Sequence, residues 1–263
     1  MKTLGIKQFH QKQFKLLDLS KSKFKGVLGD VPRHFICVIY GYSGNGKTES
    51  CMQLAKELAS FGKVAWLSYE QRHGYDLQQA TKRNNMEECS GNFLVIDPVH
   101  SLKAGVSFLE DLDNYLKKRN SPEYIFFDSL DYTGFKIDDY LHLKNKYEGK
   151  KTFIFISHSD KSGRLKKTIS EQILFDGGMG LWVKDFIMRP VKNRFGGFEP
   201  YIVYEKGARE RDPLFFAKQV KEKKSSKQMG LFEKQASSDE GKMQKNGHEA
   251  RGVDAKILIE TEG

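Results

Sequence analysis

The stretch Gly41-Tyr42-Ser43-Gly44-Asn45-Gly46-Lys47-Thr48, GYSGNGKT in one-letter code, decides how the surrounding sequence is interpreted. It fits the pattern G-x-x-x-x-G-K-[ST], in which small residues let backbone N–H groups wrap a phosphate. The apolar run HFICVIY (34–40) precedes it, and a run with helical spacing follows it. A strand before this loop and a helix after it favour triphosphate binding, because the helix N-terminus adds a partial positive charge.

The loop also predicts which cofactors bind. Lys47 is expected to reach the β- and γ-phosphates, and the Thr48 hydroxyl to ligate Mg²⁺. Asp128 ends the apolar run YIFFDSL (124–130) and is the predicted second metal contact, with Asp131 as the weaker alternative. No N-K-x-D element that reads guanine is evident, so ATP with Mg²⁺ is the expected ligand. The predicted nucleotide contacts are Gly41, Ser43, Gly44, Asn45, Gly46, Lys47, Thr48 and Glu49.

Apolar runs of strand length alternate with helical periods from about residue 31 to 206. The predicted strands are 34–40, 63–69, 92–99, 124–130 and 151–157, and the predicted helices are 47–61, 74–88, 105–119 and 137–148. This alternation predicts an α/β fold whose central sheet is mainly parallel, with helices on both faces. After residue 175 the pattern changes. Residues 181–195 and 200–206 are predicted to be strands joined by Gly-containing turns, extending the sheet in antiparallel fashion.

Composition divides the chain of 263 residues, which carries a formal charge of +10, into three parts. Residues 1–29 hold seven lysines and one acid, a net of +6, and form a predicted basic arm for a polyanionic partner or a solvated lysine-rich helix. Residues 30–217 form the predicted core. Residues 218–263 are polar and are predicted to be disordered.

The same composition excludes several classes of protein. The three cysteines form no C-x-x-C pair, so no zinc ribbon or disulfide framework is expected, and a reducing cytoplasm is the predicted compartment. No run of about 18 apolar residues occurs, so no membrane span is expected.

Glu70 is the candidate for activating water. It ends the second apolar run, and in a parallel sheet all carboxyl ends lie at one edge, so Glu70 can face the γ-phosphate. The residue that follows Asp128 is Ser129 rather than a glutamate, so it does not offer a carboxylate for activating water. An ordinary glutamate at a strand end is the alternative interpretation.

Together, GYSGNGKT, Glu70, Asp128-Ser129 and VKNRFGG (191–197) resemble the RecA-like ATPases. That class includes recombinases, RadA/Sms branch-migration ATPases and DnaB-type helicases, and VKNRFGG is similar to the KNRFG signature of the RadA/Sms group. The resemblance covers residues 17–207. The zinc finger and protease-like domain of RadA/Sms proteins and the helical N-terminal domain of DnaB-type helicases are not expected. We therefore expect a minimal core of the phage or mobile-element type, in a bacterial, phage-infected or mobile-element host cytoplasm.

The resemblance implies further roles. It implies a homo-oligomer, either a ring or a filament, with ATP bound between protomers. Lys192 and Arg194 would complete the ATP site of the neighbouring protomer. The alternative for these two residues is a basic strand that faces solvent or DNA. His158 corresponds to a polar sensor of the γ-phosphate, with a structural hydrogen bond as the alternative. The loop 159–170 corresponds to loops that contact single-stranded DNA without sequence preference, and its plain alternative is a solvated loop. The predicted DNA contacts are Lys161, Arg164, Lys166 and Lys167.

The sequence therefore predicts an oligomeric Mg²⁺-dependent ATPase acting on DNA in translocation, annealing, branch migration or loading. An ATP-driven regulatory switch that binds a protein partner is the alternative, and a P-loop kinase for a small molecule or nucleotide is a weaker one. Gln228–Phe232 (QMGLF) in the tail resembles the short peptide with which bacterial replication proteins bind the sliding clamp. A stray apolar pair is the plain alternative.

Overall fold

The computed structural model describes residues 3–219. The chain separates into two units, Met1–Arg211 and Asp212–Gly263. In the second unit, residues 213–219 are helical. Most of the predicted tail, including the candidate clamp-binding peptide Gln228–Phe232, lies outside the described residues.

One mixed sheet forms the centre of the first unit, in the order β3-β2-β4-β5-β1-β6-β7-β8. The first six strands in this order run parallel to their neighbours, whereas β7 and β8 pair in antiparallel fashion. The predicted α/β class, with its mainly parallel sheet and antiparallel C-terminal extension, is confirmed. The strands are β1 (Ile36–Gly41), β2 (Val64–Ser68), β3 (Phe93–Ile96), β4 (Tyr124–Asp128), β5 (Thr152–His158), β6 (Met179–Lys184), β7 (Ile187–Asn193) and β8 (Tyr201–Ile202).

Helices join these strands, and a separate apolar cluster covers each face of the sheet. Leu54 and Leu58 belong to one cluster, and Leu112 and Leu143 belong to the other. Because both faces are covered, β4 is buried along its whole length, as expected for strands without polar alternation. The helices are α1 (Ile6–His10), α2 (Lys25–Leu28), α3 (Lys47–Ala59), α4 (Tyr75–Arg83), α5 (Pro98–Ser101), α6 (Phe108–Leu116), α7 (Ile137–Tyr147), α8 (Thr168–Asp176) and α9 (Glu205–Arg211). Among residues 3–219, no helix has the length and apolarity needed to cross a bilayer.

The structure corrects three details after residue 157. The single strand predicted over 181–195 is a hairpin, β6–β7, which turns at Asp185 and Phe186 without a glycine. The loop predicted over 159–170 ends at Lys167, because α8 begins at Thr168. The strand predicted over 200–206 is only two residues long and is followed by α9. α9 has only seven residues, too few to show a clear helical period in the sequence.

The predicted basic arm also divides in two. Residues 3–16 are exposed throughout. By contrast, Leu17, Leu19, Phe24 and Leu28 are buried in the apolar cluster that contains α3. The core therefore begins near residue 17 rather than at residue 30.

Candidate active site

The GYSGNGKT loop connects β1 to α3 and needs its glycines for two reasons. Gly46 has φ +90°, in the left-handed region, and a Cβ there would lie 2.7 Å from Phe186 Cδ1. Gly41 approaches the backbone of β6 so closely that a Cβ would lie 2.2 Å from the carbonyl oxygen of Val183. The strand–loop–helix context predicted for the motif is present.

Asn45 ties this loop to the β6–β7 turn. Its Oδ1 accepts the Asp185 N–H at 2.8 Å, and its carbonyl oxygen accepts the Phe186 N–H at 3.2 Å. Both turn residues have positive φ, +53° and +59°, and these two bonds stabilise that turn. Asn45 therefore joins the GYSGNGKT loop to the β6–β7 turn, and its contact with the nucleotide stays a prediction.

Lys47 is nearly buried, with 8% of its surface exposed. Its Nζ donates to the carbonyl oxygen of Tyr42 at 3.3 Å, and burial lowers the pKa of its ammonium group. A buried ammonium lining an open cavity is suited to an anionic ligand such as a phosphate.

Asp128 ends β4 and is 5% exposed. Trp66 Nε1 donates to its Oδ2 at 3.1 Å. Burial, followed by the charge of Glu70, raises the pKa of Asp128 to about 7, against the smaller opposing effects of Trp66, His158 and Lys47. Thr48 lines the same cavity. The Thr48 hydroxyl and the Asp128 carboxylate, whose negative charge is not fully balanced by its neighbours, are oxygen donors. Such a donor set fits Mg²⁺.

Glu70 and His158 form a pair across the ends of β2 and β5, with Oε2 and Nε2 2.9 Å apart. The Glu70 N–H donates to the carbonyl oxygen of Asp128 at 3.0 Å, and the His158 N–H donates to Asp131 Oδ2 at 2.9 Å. The hydrogen bond from His158 is the largest contribution that lowers the pKa of Glu70. Asp131, the weaker metal candidate, thus holds the backbone of His158 in place.

These groups open onto one cavity of 690 Å³. Its far wall is a polar stripe on α4, in which Tyr75, Gln79 and Arg83 follow each other at four-residue spacing. Arg83 Nε donates to Glu49 Oε1 at 2.9 Å, so Glu49 joins α3 to α4. This wall was not predicted from the sequence, because a polar stripe on a helix usually faces solvent. The predicted residues that line the cavity are Ser43, Gly44, Gly46, Lys47, Thr48, Glu49, Glu70, Asp128 and His158.

Lys192 and Arg194 are not among the residues that line this cavity. Lys192 pairs with Gly180 near the start of β6, whereas the GYSGNGKT loop lies at the carboxyl edge of the parallel strands. Its Nζ donates to the carbonyl oxygen of Leu174 at 2.9 Å, at the end of α8. Lys192 and Arg194 therefore do not line the cavity of their own chain, and their role in a neighbour's site stays a prediction.

The predicted DNA contacts lie on an ordered turn. Asp160 Oδ1 accepts the N–H groups of Ser162 at 2.8 Å and Arg164 at 3.0 Å, and Ser159 bridges to Leu165. The turn follows directly after His158, at the edge of the sheet that carries the cavity. The exposed cations on the turn are Lys161, Arg164, Lys166 and Lys167.

No protein-family model and no curated protein matches the sequence. Solved structures do match. The flagellar accessory protein FlaH from Methanocaldococcus jannaschii is 19% identical with a TM-score of 0.52, over 71% of this chain and 91% of that one. The KaiC-like protein PH0186 from Pyrococcus horikoshii is 15% identical with a TM-score of 0.49, over 72% of this chain and 94% of that one.

The chain has a RecA-like P-loop fold. The similarity to these solved structures concerns the fold alone. The RecA-like fold is therefore the part of the sequence resemblance that is confirmed. The RadA/Sms and DnaB-type affinity, suggested by VKNRFGG (191–197), stays a prediction.

Proposed function

We propose that this protein is a Mg²⁺-dependent ATPase that acts as an oligomer on single-stranded DNA. The observation that carries the proposal is the convergence of Lys47, Thr48, Asp128 and the Glu70–His158 pair on one cavity of 690 Å³. The loop N–H groups and Lys47 would bind the triphosphate. Thr48 and Asp128 would hold Mg²⁺, which supplies positive charge at the phosphates.

Glu70 is suited to orienting the attacking water. The hydrogen bond from His158 lowers the pKa of Glu70, so its carboxylate is ionised at neutral pH and accepts a hydrogen bond from water. A lowered pKa also makes Glu70 a weak base, so positioning water contributes more than removing its proton. His158 would sense the γ-phosphate through the same contact.

The charges around the cavity support a shared site. Within the described part of the chain, the lysine and arginine that line the cavity are Lys47 and Arg83, and Arg83 is paired with Glu49. Phosphoryl transfer spreads negative charge over the γ-phosphate oxygens, which a further cation stabilises. Lys192 and Arg194 from a neighbouring protomer would supply that charge in a ring or filament.

The cationic turn after β5 supports the choice of DNA. Lys161, Arg164, Lys166 and Lys167 are exposed. Contacts from such groups to phosphates give salt-sensitive binding without sequence preference. His158 links this turn to Glu70, so DNA on the turn would influence hydrolysis.

Phosphate release from MgATP, measured with and without single-stranded DNA, tests the proposal. Hydrolysis that DNA stimulates supports it. Tight ATP binding without turnover would favour the regulatory switch, and phosphate transfer to a nucleoside or metabolite would favour the kinase. A pull-down with the sliding clamp, with and without residues 218–263, tests the further proposal that Gln228–Phe232 binds the clamp.

A further inference from the structure

A second, smaller groove borders the GYSGNGKT loop. Its volume is 220 Å³, and it shares no lining residue with the nucleotide cavity. It lies at the carboxyl ends of β5, β1 and β6, three neighbouring strands. We call it the aromatic groove. Its lining residues are Tyr42, Asn45, Asp160, Lys161, Trp182, Val183, Lys184 and Asp185.

A lysine ammonium group lies over each of two aromatic rings in this groove. Lys161 Nζ lies 5.8 Å from the ring centroid of Tyr42, and Lys184 Nζ lies 5.4 Å from that of Trp182. Tyr42 is 38% exposed. Trp182 is half-buried and packs against the apolar cluster that contains Leu112, so only part of its ring faces the groove. Movement of the flexible lysines would open the exposed part of each ring to a ligand.

The turn after β5 holds the indole of Trp182 in place. Gly163 has φ +93°, and a Cβ there would lie 3.0 Å from Trp182 Cζ2. The Gly163 backbone therefore lies against the indole, and this contact joins the cationic turn to the aromatic groove. A ring that is already fixed loses little conformational entropy when a planar ligand stacks on it.

The charge around the groove favours an anionic chain. Residues 159–167 together with Lys184 and Asp185 carry five cations and two acids, a net of +3. The Asp160 carboxylate already accepts N–H groups of its own turn. Aromatic rings beside lysines combine surfaces for stacking bases with cations for the phosphates between them.

We propose that the aromatic groove binds single-stranded nucleic acid by stacking bases on Tyr42 and Trp182. This inference rests on the proposed function and deepens it by naming the surface that receives the bases. It also gives a route for coupling, because Tyr42 belongs to the nucleotide loop. The carbonyl oxygen of Tyr42 accepts hydrogen bonds from Lys47 Nζ and Asn45 Nδ2, so a base on Tyr42 would restrain the backbone that positions Lys47.

Intrinsic fluorescence of the full chain can test the stacking directly. The chain has two tryptophans, and Trp66 is fully buried, so added DNA is expected to quench Trp182. The probes are a short oligothymidylate and an abasic oligomer of the same length. We expect the oligothymidylate to quench saturably and to bind at least about 30-fold more tightly than the abasic oligomer, because each of the two stacked bases contributes at least about 5-fold to affinity.

Variants add a second readout. Trp182→Phe should abolish the quenching while retaining a ring. Lys184→Ala should reduce the slope of log affinity against log salt by about 0.7, because one phosphate contact is lost. Lys150→Ala is the matched control, because Lys150 is an exposed lysine just before β5, at the opposite edge of the sheet. It should leave both the quenching and the salt slope unchanged.

The outcomes separate this inference from the proposed function. Fluorescence anisotropy of a labelled oligonucleotide reports binding independently of tryptophan. Equal affinity for the two oligomers without quenching would place DNA on the cationic turn alone, overturning the inference while leaving the proposed function intact. Absence of any DNA binding would overturn both.

Discussion

Replacing Asp128 by asparagine should stabilise the metal-free protein at neutral and higher pH. The carboxyl group is 5% exposed, and its pKa is raised from 3.8 to about 7, first by burial and then by the charge of Glu70. A folded-state pKa above the unfolded value means that ionisation opposes folding. The destabilisation is absent below the unfolded pKa, grows as pH rises between the two values, and is complete above the folded pKa.

The size of this effect follows from the pKa shift. Each pKa unit corresponds to 1.36 kcal/mol, so a shift from 3.8 to about 7 corresponds to about 4 kcal/mol. Asparagine can still accept the hydrogen bond from Trp66 Nε1, but its own N–H₂ group needs a new partner, which costs about 1–3 kcal/mol. That cost does not depend on pH. The stability difference between variant and wild type should therefore change by about 4 kcal/mol between about pH 4 and pH 8.

Urea denaturation of both proteins in EDTA, at the two pH values, measures this change. Asp138→Asn is the matched control, because it removes one negative charge from an exposed position on α7. A stability difference between Asp128→Asn and wild type that is the same at both pH values would contradict the raised pKa of Asp128. It would mean that the Asp128 carboxylate is better solvated or better paired than its 5% exposure indicates.

Three further changes probe the site. Lys47→Ala removes the buried ammonium and should weaken ATP binding roughly 10- to 150-fold, measured by fluorescent-nucleotide titration; unchanged affinity would exclude Lys47 from the phosphate site. Mixing Arg194→Ala with Lys47→Ala protomers should restore part of the ATPase activity that each variant lacks alone, and additive residual activity would contradict a shared site. Gly46→Ala should cost about 1–3 kcal/mol in urea unfolding, because the residue has φ +90° and its Cβ would press on Phe186; wild-type stability would contradict that geometry.

The sequence predicted the parts of the site that local rules determine. The GYSGNGKT motif determines its own backbone conformation, because its glycines tolerate positive φ angles or close contact with neighbouring atoms. Glu70 could be placed at the same edge of the sheet as the GYSGNGKT loop because parallel strands end at one edge, and the structure shows both lining one cavity. Both inferences needed only the order of strands and helices.

The features that were missed depend on contacts distant in sequence. The turn at Asp185 and Phe186 has no glycine to mark it, and the bonds from Asn45 help to hold it. Asp131 has its role because the backbone of His158, 27 residues away, lies within hydrogen-bonding distance. The wall formed by α4 was missed for another reason: a polar stripe on a helix usually faces solvent, and only the position of α4 beside the nucleotide loop makes it a lining.

ATP binding and hydrolysis by Glu70→Gln, measured beside the wild-type protein with Mg²⁺ and single-stranded DNA, show whether Glu70 takes part in hydrolysis. Glutamine keeps the size of the side chain but loses the charge that holds water in position. We expect ATP affinity close to wild type and a hydrolysis rate reduced about 100-fold or more. Hydrolysis near the wild-type rate would contradict this expectation, because the Glu70–His158 pair would then have no part in the chemistry of the cavity.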